Sequence, residues 1–300
     1  MEKVDLVRYK KAIFLATFNR TDLLQRCLES IINAKGIENY FFFVIQQDNN
    51  AKTAAVLESF KSRINEVMAV KSTFNDPIRN INANRVLGYK HAFEKLGCEY
   101  VVAIEDDTLI SPDALVFVDQ MYEQHAGDDS LGCINLISLG SSDESLCAFS
   151  YFRSPLVGQG SAIDLRMWQE LKLDQLQNRF IDEPFDGAIE DLMKCKKNIF
   201  PNRSRILDQG WVGTHSSSKN DPYFTKMQES WVKNKEECKL FEHVQRELGL
   251  REDWIEYKRN QDLYFYFRKR ILDLNRTSIG NILINSLRLI MQKPKIKKLS

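Results

Sequence analysis

No stretch of this chain reaches the roughly 18 to 20 consecutive apolar residues of a membrane-spanning helix, so none is expected. A charge excess is missing too: 42 basic and 41 acidic residues leave a formal net charge of +1. No global field points to nucleic acid, and no nucleic-acid partner is expected. The six cysteines, Cys27, Cys98, Cys133, Cys147, Cys195 and Cys238, lie far apart, with neither a C-x-x-C pair nor a dense disulfide framework. They read as reduced, mostly core thiols of a cytosolic protein. The apolar run from Ala12 to Phe18 is broken by Thr17 and is too short for a signal sequence. A soluble or peripherally attached cytoplasmic protein is expected. Repeats and low-complexity tracts are also missing.

What is present is alternation. Apolar runs at residues 12–17, Tyr40 to Ile45, Val67 to Val70 and from Tyr100 each follow or precede a stretch of helical spacing. Thr21 or Asp22 is positioned to cap the first helix, and residues 81–96 form the helix before the fourth run. Four such alternations predict an α/β fold, with a mostly parallel sheet wrapped by helices on both faces. Further on, a helix is expected over residues 111–124, a strand over 131–139, and helices over 163–173 and 186–197. Gly210 to Ser218 reads as a loop. The main boundary is placed there, giving an α/β domain over residues 1–218 (halves 1–110 and 111–218) and a helical region over 219–300. At 300 residues the chain is long enough for both.

The fourth run is the most informative. Tyr100-Val-Val-Ala-Ile ends in Glu105-Asp106-Asp107. In open α/β sheets ligands bind outside the carboxyl ends of the strands, which puts these acids at the rim of a crevice. Oxygen-only ligands suit Mg²⁺ or Mn²⁺, which take further ligands from waters and from a substrate's phosphates. The competing reading is an acidic turn before the helix that Ser111-Pro112-Asp113 starts. Two other strand ends carry polar groups: Thr17, Asn19 and Arg20 after the first, and Asp48 after the second. Asp48 reads either as an acceptor for a ring N–H of a nucleotide base or as turn chemistry in Asp-Asn-Asn. The spacing of Asn84 and Arg85 does not decide whether they face solvent or ligand.

The order A-I-F-L-A-T-F-N-R, then F-V-I-Q-Q-D, then V-V-A-I-E-D-D-T-L-I-S-P-D-A-L resembles the nucleotide-sugar glycosyltransferases of the GT-A fold. It is similar to N-acetylglucosaminyltransferase I and its relatives (family 13) and, more loosely, to family 2. The likeness covers about residues 10 to 218. It implies that Asp107 contacts a divalent cation, that Glu105 and Asp106 face the sugar nucleotide, and that Asp48 holds uracil. Asn84 stands where family 13 has a histidine. Asp186 falls on the family 13 base and is the preferred candidate for that role, though it reads equally as a helix cap. Glu190-Asp191 resembles the E-D pair that provides the base in family 2, which makes Asp191 the reserve candidate. Gly213-Thr214-His215-Ser216 resembles a loop folding over the donor, with His215 as a further metal contact or simply a solvated residue.

The implied activity is inverting transfer from a UDP-sugar to a hydroxyl of a glycan or lipid-linked acceptor, with Mn²⁺ or Mg²⁺. Tyr151, Phe152 and Gly158-Gln159-Gly160 are candidate acceptor contacts, or else core. Residues 219–300 end in an apolar helical face followed by lysines. That pattern suits contact with an anionic membrane surface, packing on the catalytic domain, or a homodimer. Two rivals stand beside this reading: an inactive sugar-nucleotide-binding scaffold of the same fold, and a nucleotidyltransferase. The latter normally carries a Gly- and Lys/Arg-rich loop after its first strand, where this chain has Phe18-Asn19-Arg20-Thr21.

Overall fold

The computed structural model describes residues 10–48, 50–138, 149–152, 160–172, 185–201, 204–208 and 253–254. The chain divides into two units, Met1–Ile255 and Glu256–Ser300, and every described residue lies in the first. The expected helical region over 219–300, the loop over 210–218 and His215 lie outside the described residues, apart from a two-residue strand at Asp253–Trp254.

The first half follows the expected alternation. β1 (Lys11–Thr17), α1 (Thr21–Ile32), β2 (Phe41–Gln47), α2 (Ala51–Ser59), β3 (Glu66–Val70), α3 (Pro77–Lys90) and β4 (Tyr100–Glu105) succeed one another. A single π-helical turn, His91–Lys95, ends α3. The four strands are parallel, β2 and β3 lying on one side of β1 and β4 on the other. The strand order therefore reverses between β1 and β4. Their carboxyl ends form a topological switch point, where such sheets open a crevice.

Alternating side chains of the strands enter opposite faces of the sheet. Ala12, Phe14, Phe43, Ile45, Val101 and Ala103 join one buried cluster with Tyr89 and Phe93, two residues of the α3 segment and its π turn. Gly88 lets α3 come this close. A β-carbon there would lie 2.7 Å from the Phe14 ring. Gly88→Ala is expected to destabilise the fold by about 1–3 kcal/mol despite alanine's better helix propensity, because the Phe14 ring must shift. A lower urea midpoint at unchanged slope would show it.

The second half departs from the parallel pattern. β5 (Thr108–Ile110) pairs with β10 (Ile206–Asp208) in a separate antiparallel ribbon. After α4 (Ala114–Gln124) come β6 (Leu131–Asn135), β7 (Phe149–Phe152), β8 (Ser161–Asp164) and β9 (Lys197–Pro201). The full sheet runs β11-β7-β9-β6-β8-β4-β1-β2-β3, β11 being Asp253–Trp254, and β8 lies antiparallel between β4 and β6.

Several expected boundaries move. The helix placed at 163–173 is α5 (Leu165–Glu170), because Ser161 to Asp164 pair with β4 and Asp164 caps the helix by accepting from the Met167 N–H at 2.7 Å. The helix placed at 186–197 is two short ones, α6 (Phe185–Ala188) and α7 (Glu190–Met193). Gly187 weakens that stretch, and Lys197 joins β9 instead. The strand expected to reach residue 139 stops at Asn135. Neither Thr21 nor Asp22 caps α1: Arg20 holds the cap position with no side-chain capping bond.

Candidate active site

Arg20 is the hinge of the site because of that cap. Its carbonyl accepts from the Leu24 N–H at 2.9 Å, so its backbone belongs to the helix start while its side chain is released over the β1–β4 crevice. There one guanidinium nitrogen lies 3.1 Å from Asp106 Oδ1 and another donates to Asp107 Oδ2 at 2.5 Å. Burial works against the charge on Arg20, but Asp106, Asp107 and Glu105 outweigh it and hold its pKa above the ordinary value.

The three acids divide their work. Asp106, 2 % exposed, accepts from the Thr17 hydroxyl at 2.9 Å and the Phe18 N–H at 3.2 Å. It thereby ties the end of β4 to the end of β1. Glu105 turns toward α3 and pairs with Arg85, whose guanidinium is buried. Asp107, 7 % exposed, meets Arg20. The turn carrying these acids is held from behind. Asp113, expected to help start α4, makes no capping bond; it lies 3.4 Å from the buried Arg205 and accepts from the Ser111 hydroxyl at 2.5 Å. The acids are therefore not a helix cap.

Burial raises the Asp106 pKa above its ordinary 3.8, more than Arg20, the Phe18 N–H and Thr17 lower it. The ionised form is thus penalised in the folded state. That contribution to stability is fully present below 3.8 and is lost as the pH rises through the folded value. Asp106→Asn loses the ion pair with Arg20 but is expected to lack this decline, its melting point falling less from acid to neutral pH than that of wild type. Paired thermal melts from about pH 3.5 to 7 read the two slopes, and a variant whose melting point declines as steeply as wild type's would contradict it.

The remaining rim lies at the ends of β2 and β3. Asp48 is exposed and adopts a left-handed backbone, φ 59°. Its N–H donates to Val70 O at 2.7 Å, and its carboxylate accepts from the Ser72 N–H at 2.6 Å and from the Ser72 hydroxyl. These bonds lower its pKa, the Ser72 hydroxyl first. Asn84, left undecided by its spacing, is buried and donates to Gln47 Oε1 at 2.7 Å. Phe18 and Asn19 are exposed beside the crevice. The structure thus brings Thr17, Arg20, Glu105, Asp106 and Asp107 together, and sets Asp48 and Asn84 in a second group.

Asp186 and Asp191 stand second in α6 and α7, and their side chains fall outside the described positions. Phe185 and Ile189 anchor this segment in the same core as α3, with Phe185 and Tyr89 stacked at 5.6 Å between ring centroids. Tyr151 is not an acceptor platform: it is fully buried and meets His125. Gly160, at φ 131°, makes its close approach to Ile206, while Gly158 and Gln159 lie outside the described residues. Reading the sequence missed Gln47, Ser72 and Arg205. Only Gln47, inside the Q-Q-D run, carried a signal. Cys27, Cys98 and Cys133 are free and buried as expected, and Cys195 is exposed.

Residues 12–147 match glycosyl transferase family 2. That match runs from Ala12 in β1 past β6 and includes every acid of the crevice. The finer likeness to family 13 has no counterpart in it. No curated protein sequence matches. Solved structures with a similar trace include the mannosyltransferase PcManGT from Pyrobaculum calidifontis in complex with GDP-Man and Mn²⁺ (12% identity, TM-score 0.47, covering 96% of this chain and 82% of that one). Another is S. aureus TarS (11% identity, TM-score 0.45, 66% of this chain and 36% of that one). A shorter form of TarS, residues 1-349 in complex with UDP, gives 12% identity and a TM-score of 0.44 over 66% of this chain and 59% of that one.

Proposed function

We propose that this protein is an inverting glycosyltransferase that moves a sugar from a UDP-sugar to a hydroxyl of a glycan or lipid-linked acceptor. The observation that carries the proposal is the meeting of Asp106, Asp107 and Arg20 at the switch point between β1 and β4. Among the described residues no group of three or more His, Cys, Asp or Glu side chains forms a metal site. The donor set still fits a nucleotide-bound Mg²⁺ or Mn²⁺, which needs one or two carboxylates and completes its shell with phosphate and water. Asp107 already holds a cationic group, and Arg20, 38 % exposed in its side chain, is able to yield that place. Asp107 would hold the ion, with His215 as a further ligand.

A bound cation supplies Lewis-acid neutralisation of the charge growing on the departing diphosphate. The chain's own residues do the rest. Asp106 fixes the β1 loop against β4, keeping Thr17 to Arg20 on the donor side. Arg20, released from Asp107, adds a fixed positive charge for the phosphates. Asp48 accepts a ring N–H of the base. A carboxylate on the acceptor side takes the proton from the attacking hydroxyl, so that one in-line displacement inverts the anomeric carbon. The match to family 2 stops at residue 147, short of Glu190-Asp191, but the likeness of that pair to the family 2 E-D pair leads us to take Asp191 as the first candidate for that base and Asp186 as the second, the reverse of the expected order. Residues 219–300 are the proposed seat of membrane or homodimer contact.

Release of UDP from a panel of UDP-sugars, with Mn²⁺ and with a chelator, tests the reading. Metal-dependent turnover by wild type is the expected result. Donor binding without turnover, unchanged in Asp107→Ala, would instead support the inactive scaffold.

A further inference from the structure

Asp48 is the end of a hydrogen-bond chain that begins inside the protein. Asn84 on α3 donates to Gln47 Oε1 at 2.7 Å, Gln47 Nε2 donates to Ser72 Oγ at 2.7 Å, and the Ser72 hydroxyl donates to Asp48 Oδ2. The carboxylate fixes every arrow. An ionised Asp48 only accepts, so the Ser72 hydroxyl must donate to it and must itself be met by a donor from Gln47. Gln47 then turns its oxygen to Asn84, which has to present its amide N–H₂. No member of the chain can flip without setting two donors or two acceptors against each other.

Each bond polarises the next toward the carboxylate. The loop that carries Ser72 is braced as well. Asn80 Oδ1 accepts from the Thr73 and Phe74 N–H groups, both at 3.1 Å, and Asn80 Nδ2 donates to Phe74 O at 2.7 Å. Asp48 itself is locked by its left-handed backbone and by its N–H on Val70. Three elements thus converge on the aim of one exposed carboxylate, a rigidity that a surface turn does not require. Ser72 takes only part of the carboxylate's acceptor capacity, since two oxygens carry about four lone-pair sites.

We propose that Ser72 is a positioning and specificity-determining residue, which with Gln47 and Asn84 holds Asp48 as a fixed acceptor that selects a base presenting a ring N–H, as uracil does, over one presenting a ring lone pair at that place, as cytosine does. This inference rests on the reading of the β1–β4 crevice as a nucleotide-sugar site. A site built to receive a donor leaves its own acceptor facing a lone pair when the wrong base enters, and discrimination follows from that mismatch.

The test is calorimetric titration of UDP and CDP into wild type, Asp48→Ala, Ser72→Ala and Ser72→Thr, with thermal melts confirming that each variant folds. Ser72 is exposed, and its N–H remains in every variant. Wild type is expected to prefer UDP, and Asp48→Ala to lose that preference. Ser72→Ala should bind UDP about tenfold more weakly with CDP unchanged, the scale of ordering on binding one side chain that is no longer held in place beforehand. Its UDP affinity should also begin to fall at a higher pH on acidification, because the hydroxyl that keeps Asp48 ionised is gone. Ser72→Thr should restore both behaviours. If Asp48→Ala loses the preference while Ser72→Ala keeps wild-type affinity, ratio and pH profile, the positioning role is overturned and the nucleotide reading stands. If wild type binds neither nucleotide, or if Asp48→Ala is unchanged, both are overturned.

Discussion

Asp107→Ala is expected to lower turnover of a UDP-sugar by at least about 100-fold, the scale on which removing one preorganised stabiliser of developing charge acts. The variant loses the proposed cation contact and frees Arg20 from one of its two carboxylates. Arg20 keeps Asp106, so the fold should survive. Steady-state kinetics over a range of Mn²⁺ should show a lower kcat that excess metal does not restore. A variant within a few-fold of wild type would remove Asp107 from the machinery.

The second large effect separates the two candidate bases. Asp191→Asn is expected to lower kcat by roughly 100- to 10,000-fold, the range assigned to a positioned general base, with donor affinity unchanged. Asp186→Asn, at the start of the preceding short helix, is expected to cost far less. Transfer to a hydroxyl acceptor and UDP binding, measured on both variants, decide between them. Loss of transfer in Asp186→Asn with Asp191→Asn active would reverse the assignment.

The half of the fold that carries the proposed donor site was legible because its signals are local. Each parallel strand is a short apolar run, each crossover helix has its own period, and the acids sit where an apolar run stops. The second half was harder. β8 resembles the first turn of a helix until Ser161 to Asp164 are seen to pair with β4, and that pairing is a tertiary choice across some sixty residues. Gly187 and the recruitment of Lys197 into β9 broke a helix that periodicity alone kept whole.

The site shows the same division. Glu105, Asp106 and Asp107 announce themselves as a cluster, whereas the partners that aim them do not. Arg85 and Arg205 are buried guanidiniums whose importance lies in what they face, Glu105 and Asp113, and no spacing rule reveals that. Ser72 is an unremarked serine after a weak strand until the ends of β2 and β3 bring it onto Asp48. Arg20 was named as a donor contact, but its bridge to both aspartates depends on its place at the α1 cap, where Thr21 or Asp22 was expected.

The most direct measurement is a crystal soaked with Mn²⁺ and UDP, with data collected at a wavelength where manganese scatters anomalously. The account predicts an anomalous peak beside Asp107, the diphosphate on the same peak, and Arg20 moved off Asp107 toward the phosphates. UDP bound elsewhere, with Arg20 still seated on Asp107 and no peak between them, would contradict it.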